Sequence, residues 1–369
     1  MPNTSQNAKL GKLLAVSEAS IDSAQSQADL LNVIHGFVSY NGSLKFNFTR
    51  AWWLFGTGLS VIAGAFALCW FANTYTVAVI FYQLQIDPIM LGIAVGLVGI
   101  AIAIGSLVWM KSKADRLPSL SSKIARLSSY FHNGLMFLEE DSDRTLNKLD
   151  AQFGDYSRGN YSRELVESIQ GVFTGTLREI PYNYRRLHYV NRRTVHTTVT
   201  DKDGKTRTET RVVYDHYDRY SLVIDFPWVS GISVRSDEHS ANDYPCPMDT
   251  ASPDFNKAFC LTGASEISCA KFIKPSTVLH LLKLFNILHR PNLEFSDNGK
   301  LCLSFASNDL FAFGTEYSLA SPNEFYAEID AGVELPRLMS ALQWSHELSE
   351  LHDDNFAFTA TPPKKRTEK

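Results

Sequence analysis

His346 and Glu350 stand one helical turn apart in His346-Glu347-Leu348-Ser349-Glu350, a spacing at which two side chains share a helix face and can grip a divalent metal. A zinc-protease helix has a second histidine where this chain has Glu350, so the pattern reads as a solvated helix face. His239, Cys246, Cys260 and Cys269 are the best cluster of soft ligands. Their spacings of seven, fourteen and nine residues lack the close Cys-x-x-Cys knuckle of a structural zinc site. Cys260 and Cys302 alternate with apolar neighbours in strand-like runs, and buried thiols of that kind act as small hydrophobes. Gly56-Thr57-Gly58 opens like a dinucleotide fingerprint but lacks the third glycine and lies in an apolar run. No GxxxxGK(S/T) phosphate loop or GxSxG elbow is present. No metal, cofactor or catalytic residue is therefore expected. An enzyme without a recognisable motif would have to gather Asp225, His239, Asp254 and His280 around one pocket.

Contact chemistry is better represented. From Tyr182 to Tyr220 the chain holds nine Lys or Arg, five Asp or Glu and six tyrosines, a local net charge of +4. Amphipathic Tyr and Arg suit protein interfaces, which makes Tyr184, Arg185, Arg186, Arg192, Arg193 and Tyr214 the interaction candidates. The same charge raises a second reading, contact with a polyanion or a phospholipid headgroup. The interleaved acidic residues argue against it.

The element that must present these groups is a β-hairpin. Thr194 to Thr200 and Arg207 to Val213 are rich in Val and Thr and flank Asp203-Gly204, a two-residue turn signal. Such a turn makes paired positions sum to 407, setting Val195 against Val212, Arg193 against Tyr214 and Arg192 against Asp215. Asp297-Asn298-Gly299-Lys300 signals a second tight hairpin, between strands at 293–295 and 301–305. A strand is expected at Tyr220 to Phe226, and helices at about 276–289 and 336–351.

Residues 51–110 carry one charge, Asp87, in sixty positions. A bilayer core about 30 Å thick needs roughly twenty apolar residues in a helix, so two crossings fit, near 52–71 and 89–110. Asn73, Gln83, Gln85, Asp87 and Pro88 mark the link. Lys45 and Arg50 precede the first crossing, Lys111, Lys113 and Arg116 follow the second, and the link has no Lys or Arg. That asymmetry predicts cytoplasmic termini. Trp52, Trp53 and Trp109 suit one interfacial belt, and Tyr75, Phe81 and Tyr82 the other. Residues 1–30 are polar, which excludes a cleaved signal peptide. Gly56, Ser60 and Gly64 share a face of the first crossing and Gly92 and Gly96 one of the second. Small residues in such rows let helices pack closely, within the chain or between copies. With no ionisable group mid-membrane, transport is not expected.

Beyond residue 110 the chain has 31 Lys plus Arg against 35 Asp plus Glu, so this soluble part is mildly acidic and has no general appetite for nucleic acid or anionic lipid. Five cysteines fit reduced cytoplasmic thiols better than a disulfide framework. Residues 1–16 read as loose, and Ile21, Leu30, Leu31, Ile34 and Phe37 place a helix over 17–38. Leu120, Ile124, Leu127, Phe131, Leu135 and Leu138 predict a long amphipathic helix from Pro118, continuing to about Gln152.

The order of features, with Gly171-Val172-Phe173-Thr174-Gly175, Ser221-Leu222-Val223-Ile224-Asp225-Phe226, Pro253-Asp254-Phe255-Asn256-Lys257-Ala258-Phe259 and Asn308-Asp309-Leu310-Phe311, resembles a bacterial two-helix membrane-protein family of unknown function. Its genes often lie beside those of LemA-like membrane proteins, which implies such a protein as partner. The family has ordinary strand residues at the positions of Cys260 and Cys269, and no established catalytic residues.

The expected architecture is α+β: a polar, helical segment 1–50, a transmembrane hairpin 51–110, an amphipathic connector 111–153, a cytoplasmic antiparallel-sheet domain 154–360 with packed helices, and a disordered tail 361–369. The expected role is an inner-membrane-anchored binding or scaffold module acting through a protein partner or its own copies. A membrane-tethered enzyme is the alternative.

Overall fold

The structure is a computed structural model that describes residues 3–72, 87–175, 179–200, 206–236 and 244–353. The link with Tyr75, Phe81 and Tyr82, the Asp203-Gly204 turn, His239 and the tail 361–369 lie outside the described residues.

In chain order the helices and strands are α1 (Asn3–Asp22), α2 (Gln27–Val38), α3 (Thr49–Phe71), α4 (Pro88–Ala114), α5 (Arg116–His132), β1 (Met136–Phe137), α6 (Ser142–Asp150), β2 (Ser162–Thr174), β3 (Glu179–Thr200) and β4 (Thr206–Asp225). Then come β5 (Ile232–Arg235), β6 (Cys246–Met248), α7 (Pro253–Ala258), β7 (Cys260–Gly263), α8 (Glu266–Phe272), α9 (Pro275–Lys283), β8 (Asn292–Ser296), β9 (Lys300–Phe305), α10 (Pro322–Ala331) and α11 (Pro336–His352). They form two compact units, Met1–Ser129 with Gly314–Val333, and Tyr130–Phe313 with Glu334–Lys369.

The first unit is helical. Residues 3–16, expected to be loose, belong to α1, because Leu10, Leu14, Ser17 and Ile21 recur at helical spacing and all are buried. The single helix expected over 17–38 breaks between α1 and α2. There the Ser26 hydroxyl accepts from the Asp29 amide, and the Asp29 carboxylate accepts from the Gln25 amide and the Ser26 hydroxyl, a reciprocal cap that starts a new helix. Residues 314–333, expected inside the sheet domain, return to this unit. Gln27 on α2 donates to the Ile329 carbonyl of α10, and the Leu319 amide donates to the Ser121 hydroxyl of α5 at 3.0 Å.

Both α3 and α4 are long and apolar enough to cross a membrane. Asp87 caps α4 by accepting from the Ile89 amide at 2.8 Å, with Pro88 in the first turn where no amide donor is needed. The two helices pack through small residues. A Cβ on Gly58 would lie 2.9 Å from the Gly99 carbonyl, and one on Gly92 would collide with the Cys69 sulfur. Gly96 faces Ala65. Gly56, Ser60 and Gly64, expected to pack within the chain or between copies, are not at this seam: a Cβ on either glycine meets nothing within 4 Å, and Ser60 is exposed. Two residues turn a helix by roughly 200°, so choosing Gly56 over Gly58 selects the opposite face.

The second unit is built on a nine-stranded antiparallel sheet in the order β1-β2-β3-β4-β9-β8-β5-β7-β6. The long helix expected to run to Gln152 stops at His132. Gly134 (φ +63°) takes the left-handed conformation, the Gly134 amide donates to Phe131 and the Leu135 amide to Tyr130. Leu135 and Leu138 therefore leave α5, and the chain turns into β1. One sheet face buries Tyr182, Leu222, Ile224, Leu303, Phe295 and Val234 against α8, α9 and α11 through Phe272, Leu281, Leu342 and Leu348. The other face is covered near β3, β4 and β9 by Leu146, Leu149, Phe153 and Tyr156.

Register separates the two hairpins. Ser296 pairs with Lys300 around a three-residue loop in which Gly299 (φ +68°) supplies the left-handed position, as the tight-turn signal anticipates. In the long hairpin Thr200 pairs with Thr206, so partners sum to 406 and not 407. Val195 opposes Arg211, Arg193 opposes Val213 and Arg192 opposes Tyr214. Residues 201–205 between them lie outside the described residues.

The helix seam gives the first prediction. Gly58→Leu or Gly99→Leu should lower thermal stability in detergent by about 1–3 kcal/mol, because the new side chain meets backbone. Gly56→Leu and Gly64→Leu should leave the melt unchanged; equal losses at all four positions would place the seam elsewhere.

Candidate interaction surface

β3 and β4 are 22 and 20 residues long, and their support is uneven. β2 pairs with β3 only as far as Val190, and β9 pairs with β4 only from Tyr220. Among the described residues, 191–200 and 206–215 therefore pair only with each other, ten residues on each side. At about 3.4 Å per residue this two-stranded arm extends roughly 30 Å.

The candidates fall into two groups along β3. Tyr184 is buried, stacked on Tyr220 and edge-on to Phe311 with ring centroids 4.5 Å apart. Arg185 is also buried, held by the Glu140 carboxylate at 3.1 Å. Burial raises the Glu140 pKa, but hydrogen bonds from Arg185 and Ser168 outweigh it, and the carboxyl titrates below its ordinary range. Neither Tyr184 nor Arg185 is a contact group, a correction that follows from the strands and helices covering both faces here. Arg186 donates to Asp218 at 2.8 Å and is half-covered.

Beyond them the arm is open. Tyr214 is 45% exposed and sits edge-on to Tyr161, itself 57% exposed, at 4.9 Å. Arg192 lies opposite Tyr214, and Val212, 40% exposed, continues the same face. Asn160 clamps this corner by exchanging hydrogen bonds with the Arg192 backbone. The opposite face carries Arg193, paired with Asp215 at 2.5 Å, and stacked Tyr189 and Tyr217. Arg192 and Arg211 fall on opposite faces and Arg193 is paired with Asp215, so the described side chains of the arm form no continuous basic face.

Register also hides a group that the sequence could not locate. A sum of 407 sets His188 against Arg219; the observed pairing sets it against Asp218, whose carboxylate meets His188 Nδ1 at 2.9 Å. His188 Nε2 then meets His216 at 3.2 Å, with the rings stacked. Burial pushes the Asp218 pKa up, but Arg186 and His188 outweigh it and hold the carboxyl below its ordinary range.

Of the groups weighed for catalysis His239 lies outside the described residues, and no hydrogen bond or ion pair joins the other three. Asp225 pairs with Lys300 at 2.6 Å, and His280 is buried with Nε2 on the Trp344 carbonyl at 2.9 Å. His346 is wholly buried against Phe173, not solvated as expected, because Gly175 leaves room for its ring. Cys269 lies on α8, its sulfur 3.7 Å from the Cys246 carbonyl, whereas Cys260 is exposed at the start of β7. Among the described residues no three His, Cys, Asp or Glu side chains could hold a metal.

The densest charge centre is closed. Asp155, in the 3-10 turn Gly154–Ser157, accepts from Arg158 Nε at 2.9 Å, Arg219 Nε at 3.0 Å, Asn292 and the Ser304 hydroxyl, all buried. Arg219 also donates to the Arg290 carbonyl and to Ser304. Glu294, on β8 beside them, accepts from the Gly154 and Asp155 amides. Burial, then the nearby Asp155 charge, push the Glu294 carboxyl up to about 7 against the pull of those amides and Arg235. Each group is spent on fastening the turn to the sheet.

That raised pKa sets a sign. The unfolded chain releases the Glu294 proton near the ordinary value of 4.5 and the folded unit holds it to about 7. Stability from this group is complete below pH 4.5 and is lost as pH rises to about 7, on the order of 3 kcal/mol. Urea titrations across that window should show the loss, and Glu294→Gln should flatten it; an unchanged slope in the variant would assign the effect to another group. Asp155→Ala should cost about 3–5 kcal/mol by removing the carboxylate that two buried guanidiniums share.

Compared with known proteins, the chain matches no family model, no curated protein and no solved structure.

Proposed function

We propose that this chain is a bacterial inner-membrane protein in which α3 and α4 form the anchor, both termini are cytoplasmic, and the sheet unit is a non-enzymatic binding module. The observation that carries the binding role is the arm: ten paired residues per strand without a third strand, exposing Tyr161, Tyr214, Val212 and Arg192 on one face. An isolated two-stranded ribbon is marginally stable in water, and exposed Tyr with Arg is the composition of interface hot spots. Anchoring is supported by what α3 and α4 expose. Trp53, Phe66, Trp70 and Leu97 are all more than 60% accessible, whereas the core helix of a water-soluble protein buries such side chains.

The partner is a protein of the same membrane or a second copy, and the family resemblance makes a LemA-like protein the first bait. The test is cross-linking in cells followed by purification in detergent and mass spectrometry. The native chain should recover a specific partner, and Arg192→Ala with Tyr214→Ala should reduce recovery about tenfold or more. Joining Asn191 to Asp215 through Asn-Gly should abolish recovery without moving the unfolding midpoint of the sheet unit. Full recovery with the arm removed would refute the docking role. A reporter active only outside the cytoplasm, fused after Lys369, should be silent; activity would reverse the orientation.

A further inference from the structure

Within the first unit, between α1, the approach to α3 and the last turns of α4, lies a cavity of about 960 Å³. Its lining is graded. Leu54, Ala101 and Ile102 form an apolar floor, Trp109 stands above them, and Arg50 and Lys113 complete the wall. No acidic side chain lines it among the described residues.

We infer that this cavity binds one anionic glycerophospholipid, its phosphate held by Arg50 and Lys113 and part of an acyl chain lying on Leu54, Ala101 and Ile102. The inference rests on the membrane-anchor reading above. Charge is the first argument. Arg116 is neutralised by Glu18 at 3.1 Å and Lys123 by Asp22, whereas Arg50 and Lys113, like Lys45 and Lys111 outside the cavity, have no ion-pair or side-chain hydrogen-bond partner among the described residues. Two unpaired cations on a wall without carboxylates are complementary to a phosphodiester.

Shape is the second argument. Gly11 and Gly105 both line the cavity, and a Cβ on either would meet nothing within 4 Å, so the space stands open on the α1 side and the α4 side. The wall is fixed: Asn7 on α1 donates to the Asn47 carbonyl and accepts from the Asn47 amide, both at 2.9 Å. Polarity is the third. The basic groups lie at the start of α3 and the end of α4, where apolar helix meets polar flank, and Trp109 is the residue type that favours that level. An amphiphile satisfies the whole gradient. A free phosphate would leave the apolar floor wet.

The test uses the full chain in nanodiscs and native mass spectrometry from nonionic detergent, with phosphatidylglycerol, phosphatidylcholine and inorganic phosphate as probes. The native protein should retain phosphatidylglycerol over phosphatidylcholine. Arg50→Ala with Lys113→Ala should lower that preference about tenfold or more, the scale of two basic groups at an anionic surface. Gly105→Leu, which keeps both charges and fills the space, should lower it as well. Lys45→Ala with Lys111→Ala removes the same charge outside the cavity and should leave it intact. Equal loss in that control would reduce the effect to diffuse surface charge, and phosphate competing as well as the lipid would make this a free-anion site; either overturns the inference. Release of the protein from membranes by alkaline carbonate would instead refute the anchor, whereas an integral protein with no lipid preference refutes only the cavity.

Discussion

A nine-stranded sheet has two faces to cover, and in this protein the second is closed by a single short segment fastened with charge. Helices α8, α9 and α11 cover the first face with apolar side chains, and burial of that kind needs no particular partner for any one residue. The other face presents Arg219, Ser221, Asn292, Glu294 and Ser304, all buried. Its cover brings only Leu146, Leu149, Phe153 and Tyr156 as apolar cargo, too little to desolvate those polar groups at no cost. Asp155 resolves the conflict by accepting from two guanidiniums, an amide and a hydroxyl, while its own amide and that of Gly154 donate to Glu294. Every buried charge there has a geometric partner, which makes the arrangement tolerable and specific without making it a large source of net stability.

How much of this could be read in the chain follows from the range of each interaction. Local signals carried far: the hairpin around Gly299, the helices opening at Pro275 and Pro336, and the two apolar helices are set by short-range patterning and a few breakers. Where two local readings conflicted, the finer geometry decided. Asp203-Gly204 favours a two-residue turn, yet the strands pair from Thr200 and Thr206, and one residue of slip exchanges every cross-strand partner. The His188–Asp218 contact was invisible for that reason alone.

Other features had no local signature. Nothing in the vicinity of residues 314–333 distinguishes them from the sheet domain on either side; their place is set by Gln27 and Ser121, some two to three hundred residues away in the chain. Tyr184 and Arg185 have the composition of a contact surface and the surroundings of a core, because Phe311 and Glu140 reach them from distant segments. On α3 the glycine row at Gly56 and Gly64 and the row through Gly58 have equal claims by spacing, and the partner helix selects one.

In the function proposed above, tethering changes what the arm must achieve. Tyr161, Val212, Tyr214 and Arg192 form a modest patch, well below the roughly 800 Å² per partner of a stable soluble interface. Two proteins confined to one membrane meet at a raised effective concentration, so a contact too weak to hold in solution is sufficient between them. Under that proposal a larger apolar patch on the arm would add affinity that an anchor renders unnecessary, and it would invite edge-to-edge aggregation of the exposed strands. The mixture of paired charges, threonines and a few aromatic side chains along the arm fits the proposed role on both counts: few exposed apolar groups against aggregation, and a small number of oriented groups for a partner.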